Sequence, residues 1–112
     1  MPISETVSTT SSTMRCLSKY EADEILASIT EMAKALMPAR EVAVLVGMTA
    51  EESESFIYAL KNEFELPVVT AYRKGRLQTK LDLRKKVVAF AIKGSPAAQP
   101  LADSYLKENE YL

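Results

Sequence analysis

The chain has 112 residues, of which 47% are hydrophobic and 26% charged, and its formal net charge is -1. This composition is typical of one soluble globular domain and excludes collagen-like, mucin-like and wholly disordered chains. There is no histidine, no tryptophan and a single cysteine, Cys16. Disulfide frameworks, Cys/His zinc sites and histidine-based catalysis are therefore excluded within this chain.

The chain begins with a polar segment rich in serine and threonine. Such a segment has too little apolar surface to offset the entropy of ordering it, so we expect residues 1–17 to be a disordered tail. No apolar run is long enough to span a bilayer, and the N-terminus lacks the basic start and apolar stretch of a signal peptide. We therefore expect a cytoplasmic protein without a membrane partner.

A first helix is predicted between Ser18 and Pro38. Ser18 and Glu21 have the spacing of a capping box, in which each side chain bonds the other residue's backbone N–H. Apolar residues recur at steps of three and four from Ala22 to Leu36, which is the period of one helix face. Pro38 is expected to end the helix because its ring clashes with the preceding turn.

Two short helices are predicted next. The segment from Ala39 to Val46 ends at Gly47, which tolerates the left-handed conformation of a helix C-cap. Thr49 and Glu52 repeat the capping-box spacing at the start of the following helix. With the small Ala43 four residues before the glycine, the pair matches a helix-turn-helix. An incidental helical corner would use the same devices, so both interpretations stay open.

The second helix of this pair begins with several acidic residues. Glu51, Glu52 and Glu54 would repel phosphates at the entrance of a major groove. They also complement the positive end of the helix dipole, which is a structural explanation for them. Base contacts by this helix would have to come from its later polar residues, among them Tyr58 and Lys61.

A loop over residues 62–67 precedes a long helix predicted from Val68 to Lys93 and closed by Gly94. A last helix begins between Pro96 and Pro100 and folds back as a hairpin. The predicted fold class is all-α, with helix-turn-helix-like N-terminal helices followed by a long antiparallel helical hairpin. The predicted regions are a helix-turn-helix-like region at 18–62 and a hairpin oligomerisation region at 63–112.

The long helix carries apolar residues on two faces. In a chain this short, one face can pack on the domain's own helices, and the other is most simply buried by a second subunit. Gly75 lies inside this helix and marks either a kink or a close helix crossing. The predicted oligomer interface consists of Leu77, Leu81, Leu83, Val87 and Phe90.

The charge is unevenly distributed along the chain. Residues 73–93 contain eight lysines and arginines against Asp82 alone, a net charge of +7. Arg73, Arg76, Lys80 and Arg84 follow one another at helical steps, so they can track phosphates or pair with acidic residues of a neighbouring subunit. A solvated helix face is the structural alternative. The candidate DNA-binding residues are Arg73, Lys74, Arg76, Lys80, Arg84 and Lys85, together with Lys61 and Tyr58.

No catalytic constellation is present in the sequence. There is no glycine-rich phosphate loop followed by Lys-Ser or Lys-Thr. The acidic residues at 51–54 are explained by a helix N-terminus, and a lone cysteine without histidine has no base to activate it. We therefore expect a protein that is not an enzyme and has no cofactor and no metal site.

The order of these parts, over about residues 39–107, is similar to the small terminase subunits of tailed bacteriophages. The hairpin carries most of this resemblance, in helix-packing segments of the types A-Y-x-x-G-[KR], L-R-K, A-x-x-G and A-x-x-[LA]-A-x-x-[FY]-L. The residues that match these segments are Ala71, Tyr72, Gly75, Arg76, Leu83, Arg84, Lys85, Ala91, Gly94, Ala98, Leu101, Ala102, Tyr105 and Leu106.

The resemblance implies a non-enzymatic protein that forms a ring through its hairpin, recognises viral DNA and regulates the large terminase subunit of the packaging motor. Its partners would then be DNA, the large subunit and further copies of itself, in the host cell cytoplasm. Two other classes fit the residues. A dimeric helix-turn-helix transcriptional regulator would share the short helices and bind a palindromic site. A helical adaptor would use its basic segment on an acidic protein partner.

Overall fold

The computed structural model describes residues 16–109, which are all-helical apart from turns and loops, as predicted. The predicted tail lies outside the described residues except for its last two. The chain divides into two compact units: unit 1 ends at Leu77 and unit 2 begins at Gln78. The helices are α1 (Asp23–Lys34), α2 (Ala39–Val46), α3 (Ala50–Lys61), α4 (Pro67–Ile92) and α5 (Gln99–Asn109).

Unit 1 has a single apolar core, to which α1, α2, α3 and the first turns of α4 contribute. Phe56 on α3 and Tyr72 on α4 meet edge to face in it, with ring centroids 5.8 Å apart. Leu17, which the composition predicts to lie in the tail, is buried here, and residues 16–18 are helical. The buried core residues are Leu17, Tyr20, Ile29, Ala33, Val42, Ala43, Phe56, Ala59, Leu66, Val68, Val69, Ala71 and Tyr72.

The predicted start of the first helix is wrong. α1 begins at Asp23, and its N-cap Ala22 makes no side-chain capping bond. Ser18 instead ends a short helical stretch, and the Glu21 N–H donates to the Ser18 carbonyl at 3.3 Å, closing a turn. This turn carries Leu17 and Tyr20 into the core, so burial of these two side chains overrides the local capping signal.

The predicted end of this helix is also wrong. α1 ends at Lys34, so the ring of Pro38 is not what terminates it. Leu36 adopts a left-handed backbone with φ of 62°, and the Met37 N–H returns to the Met32 carbonyl at 3.3 Å. Leu36 therefore leaves the apolar face and is exposed. Pro38 is the N-cap residue of α2.

The two predicted short helices and the turn between them are confirmed. Gly47 caps α2 with a φ of 94°, and the Met48 N–H donates to the Ala43 carbonyl at 2.9 Å. Thr49 and Glu52 form the predicted capping box at the start of α3. Ala43 is fully buried, as the close approach of two short helices requires. The glycine and the capping box are local signals, which explains why this turn was predictable.

Helix α4 begins at Pro67, one residue before the predicted start, and contributes four of its first six side chains to the core of unit 1. The boundary between the two compact units falls inside α4, after Leu77. Gly75 marks a close crossing with α1: a Cβ at this position would lie 2.7 Å from Ala33 Cβ and nearer still to the Thr30 carbonyl oxygen.

Unit 2 is the predicted antiparallel hairpin, formed by the rest of α4 and by α5. Gly94 has a φ of 91°, and the Ser95 N–H donates to the Phe90 carbonyl at 3.0 Å, which turns the chain back. Ala98 is the one buried side chain among the described residues of this unit. Most of its large apolar residues therefore remain exposed.

Candidate nucleic-acid interface

Glu52, at the start of α3, points inward rather than towards solvent. Its carboxylate accepts bonds from the Tyr20 hydroxyl at 2.6 Å and from the Thr49 N–H at 2.8 Å, and it pairs with Lys19 Nζ at 2.5 Å. The residue is only 5% exposed. It therefore belongs to the turn between α2 and α3, where its carboxylate is shielded from solvent.

These contacts shift the protonation of the cluster. The ammonium of Lys19, the Thr49 N–H and the Tyr20 hydroxyl all favour the ionised carboxylate and lower the pKa of Glu52 to about 2. Burial and the neighbouring carboxylate raise the pKa of Tyr20. Near neutral pH, Glu52 is charged and satisfied by donors, and Tyr20 remains a neutral donor.

A second carboxylate of this turn is also partnered. Arg40 Nη1 on α2 lies 2.6 Å from Glu54 Oε1, and this hydrogen bond lowers the pKa of Glu54. Of the three acidic residues at the start of α3, Glu51 is the one that has no ion-pair partner among residues 16–109. The expected repulsion of phosphates from the start of α3 is correspondingly reduced.

The outer face of α3 presents the two candidate residues predicted on it. Tyr58 is exposed, and its ring contacts Phe64 edge to face at 5.6 Å. Lys61 follows almost one turn later and is also exposed. Asn62 is exposed as well, and its side-chain N–H donates to the Tyr58 carbonyl at 2.8 Å at the C-terminal end of α3.

Three of the candidate cations lie in unit 1, within one turn of α4. Arg73, Lys74 and Arg76 are exposed. Arg76 Nη1 donates to the Tyr72 hydroxyl at 3.2 Å, and its guanidinium carbon lies 5.8 Å from the centre of the Tyr72 ring. Unit 1 therefore presents three of the candidate cations on α4 besides Lys61 on α3, and one of the three, Arg76, is held by a neighbouring side chain.

The other candidate cations lie in unit 2, where Lys80 and Lys85 are exposed. Arg84 is engaged within the hairpin: its Nη2 lies 2.9 Å from Glu108 Oε2, and its guanidinium lies 4.1 Å from the centre of the Tyr105 ring. Arg84 thus fastens α4 to α5. The contacts with Glu108 and Tyr105 compete with phosphate binding by Arg84, and the sequence alone does not predict them.

The residues of the predicted oligomer interface remain uncovered in a single chain. Leu77, Leu81, Leu83 and Phe90 are all more than half exposed, and Val87 is half-buried. An apolar groove of about 510 Å³ lies between α4 and α5, lined by Val88, Ala91, Ile92, Ala102, Tyr105 and Leu106 among others. Unit 2 therefore offers a large apolar surface to solvent.

Neither a metal site nor a membrane segment is found in the part of the chain that the structure describes. Residues 16–109 contain no group of three or more acidic or cysteine side chains that could hold a metal ion. None of their helices is both long enough and apolar enough to cross a bilayer. Cys16 is half-buried and does not form a disulfide.

Sequence reasoning missed two side chains of this site. Tyr20 could not be identified, because its partner Glu52 lies 32 positions away. Tyr72 did carry a signal, namely its i, i+4 spacing to Arg76 on one helix face.

The chain matches no protein-family model, no curated protein and no solved structure.

Proposed function

We propose that this is a non-enzymatic DNA-binding protein that assembles with copies of itself, in the manner of a small terminase subunit that recognises viral DNA and regulates the large packaging subunit. The observation that carries the proposal is the helix-turn-helix-like pair of unit 1. Its outer helix exposes Tyr58 and Lys61, while Glu52 is turned inward and Glu54 is paired with Arg40.

Unit 1 supports binding through phosphates. Arg73, Lys74 and Arg76 are exposed on α4 in the same compact unit as the helix-turn-helix. Contacts from arginine and lysine to phosphates position a protein on the duplex without reading its sequence. Base contacts on α3 are limited to a few polar side chains, so most of the affinity is expected to be electrostatic and to fall steeply with salt.

Unit 2 supports self-association. Burying a leucine or phenylalanine side chain contributes roughly 1.5 to 3 kcal/mol, and a hairpin with this many exposed apolar side chains gains by covering them. Leu83 and Phe90 are 51% and 56% exposed. A second copy of the chain supplies the same apolar surface, which makes a homo-oligomer the simplest cover.

Two measurements on the purified chain test the proposal. Native mass spectrometry is expected to show a closed oligomer larger than a tetramer, as for a ring. A dimer would favour the dimeric regulator instead. A monomer that fails to bind DNA at physiological salt would contradict both and leave the adaptor.

DNA binding is measured by fluorescence anisotropy of a labelled duplex across a salt series. Removing two phosphate contacts with the double substitution Arg73→Gln and Lys74→Gln is expected to reduce the slope of log K against log salt by about 2. Lys107→Gln is the matched control, because Lys107 is exposed on α5 outside the basic segment. An unchanged slope in the double variant would remove these two residues from the interface.

A further inference from the structure

Tyr72 joins an exposed arginine to the loop that precedes the helix-turn-helix. Its ring is buried, with 5% of the residue exposed, and packs edge to face against Phe56. The hydroxyl donates to the Met37 carbonyl at 3.0 Å and accepts from Arg76 Nη1 at 3.2 Å. The hydroxyl proton is therefore committed to Met37, which leaves an oxygen lone pair for the guanidinium.

This arrangement fixes where Arg76 can be. The buried ring holds the hydroxyl in one place, and the hydroxyl holds one end of a planar group. The guanidinium keeps further N–H donors on Nε and Nη2, which can bind a phosphate in the two-point manner that suits arginine. Arg73 and Lys74 have no comparable side-chain contact in the described part of the chain.

The fixed position is defined relative to the helix-turn-helix. Met37 immediately precedes Pro38, the N-cap residue of α2. All of these residues belong to unit 1, so the bonds from Met37 through Tyr72 to Arg76 lie in one compact body. A phosphate bound by Arg76 would therefore have a set position with respect to α2.

We propose that Arg76 is a pre-positioned ligand for a DNA phosphate and that Tyr72 is its positioning residue. The inference rests on the proposed DNA binding and assigns one contact within it. Because ordering a long side chain opposes binding, an arginine already held in place loses less conformational freedom when it meets its phosphate. The hydroxyl of Tyr72 thus contributes to affinity without touching DNA.

The test is a double-mutant cycle on the full chain, with a labelled DNA duplex titrated at several salt concentrations. Tyr72→Phe keeps the ring and the arginine charge, so it is expected to weaken binding about threefold to tenfold and to leave the salt slope unchanged. Arg76→Gln is expected to weaken binding and to lower the salt slope by about 1. In the Arg76→Gln background, Tyr72→Phe is expected to have no further effect on affinity.

Tyr105→Phe is the matched control, because it removes a hydroxyl from the tyrosine that lies against Arg84 in unit 2. It should bind DNA as the unsubstituted chain does. Arg76→Lys retains the charge but not the planar group, so it should keep the salt slope and lose affinity. Thermal unfolding of each variant, followed by circular dichroism, sets a temperature at which all of them are fully folded.

Each outcome is decisive. Equal binding by Tyr72→Phe and the unsubstituted chain overturns the positioning role. Additive losses in the double variant overturn it too, since Tyr72 would then act without Arg76. If DNA binds but Arg76→Gln leaves affinity and slope unchanged, the inference fails while the proposed function stands. If the unsubstituted chain does not bind DNA, the proposed function fails as well.

Discussion

Gly75 on α4 lies directly against Ala33 on α1, with no room for a side chain between the two helices. A Cβ built on Gly75 would be 2.7 Å from Ala33 Cβ, which is far inside van der Waals contact. The same crossing brings the Thr30 hydroxyl to 3.2 Å from the Ala71 carbonyl. The absence of a side chain at position 75 is what allows α4 to join the core of unit 1.

Gly75→Ala is therefore expected to destabilise the protein. Alanine favours a helix interior over glycine by about 1 kcal/mol, but overpacking a close contact costs about 1 to 3 kcal/mol. Here the nearest obstruction is the backbone carbonyl of Thr30, which cannot turn aside as a flexible side chain would. We expect a net loss, measured by guanidinium unfolding. Lys74→Ala, at an exposed neighbouring position, is the control, and a variant at Gly75 as stable as the parent would contradict the close crossing.

The Glu52 cluster predicts a loss of stability in acid. The ordinary pKa of a glutamate is 4.5, and in the folded chain the pKa of Glu52 is lowered to about 2. The folded state therefore binds a proton less readily than the unfolded state, so the stabilisation is complete above about pH 4.5 and is lost as the pH falls towards 2. Denaturant unfolding at a series of pH values measures this slope.

Glu52→Gln is expected to reduce the acid slope and to lower stability at neutral pH, because the ion pair with Lys19 is lost. Glu51→Gln removes one charge from the same turn and is the matched control. Should both variants keep the slope of the parent, the cluster is not its source.

The pKa of Tyr20 is raised, so the pH dependence of its stabilisation runs in the opposite direction to that of Glu52. The stabilisation from Tyr20 is present below pH 10 and is lost as the pH rises above that.

The contacts of Arg84 predict that it holds the hairpin closed. It pairs with Glu108 and stacks on Tyr105, contacts worth about 1 to 2 kcal/mol together at a partly exposed site. Arg84→Gln is expected to speed hydrogen exchange of the α5 amides about tenfold, since α5 then opens more often. Lys85→Gln, the exposed neighbour, should leave exchange unchanged. Equal exchange in both variants would show that Arg84 is free to bind other groups.

The exposed apolar side chains predict that unit 2 mediates assembly. Phe90→Lys places a charge where a second copy would have to bury it, so it is expected to shift the oligomer to smaller species in native mass spectrometry. The monomer should still fold, because Phe90 is more than half exposed. Val44→Lys is the matched control, since Val44 is 73% exposed in unit 1. An identical stoichiometry for Phe90→Lys and the parent would exclude this face.

The features that depend on neighbouring residues are predictable from the amino-acid sequence. The all-α class, the turn between α2 and α3 and the return of the hairpin follow from apolar periodicity, from Gly47 and Gly94, and from the Thr49 and Glu52 capping box. These signals act within a few positions of the chain, so no knowledge of packing is needed to interpret them. A glycine inside a helix pattern, as at Gly75, predicts either a kink or a close helix crossing, and only packing distinguishes the two.

The orientation of the charged and polar side chains depends instead on contacts between residues that are distant in the sequence. Glu52 faces inward because Tyr20, 32 positions earlier, donates to it, and Tyr72 reaches a carbonyl 35 positions away at Met37. Helix α1 begins at Asp23 rather than at Ser18 because Leu17 and Tyr20 are buried. Arg84 pairs with Glu108 because the hairpin brings α4 and α5 together. A pattern of residue types fixes the helices, whereas the partner of each side chain depends on how those helices pack.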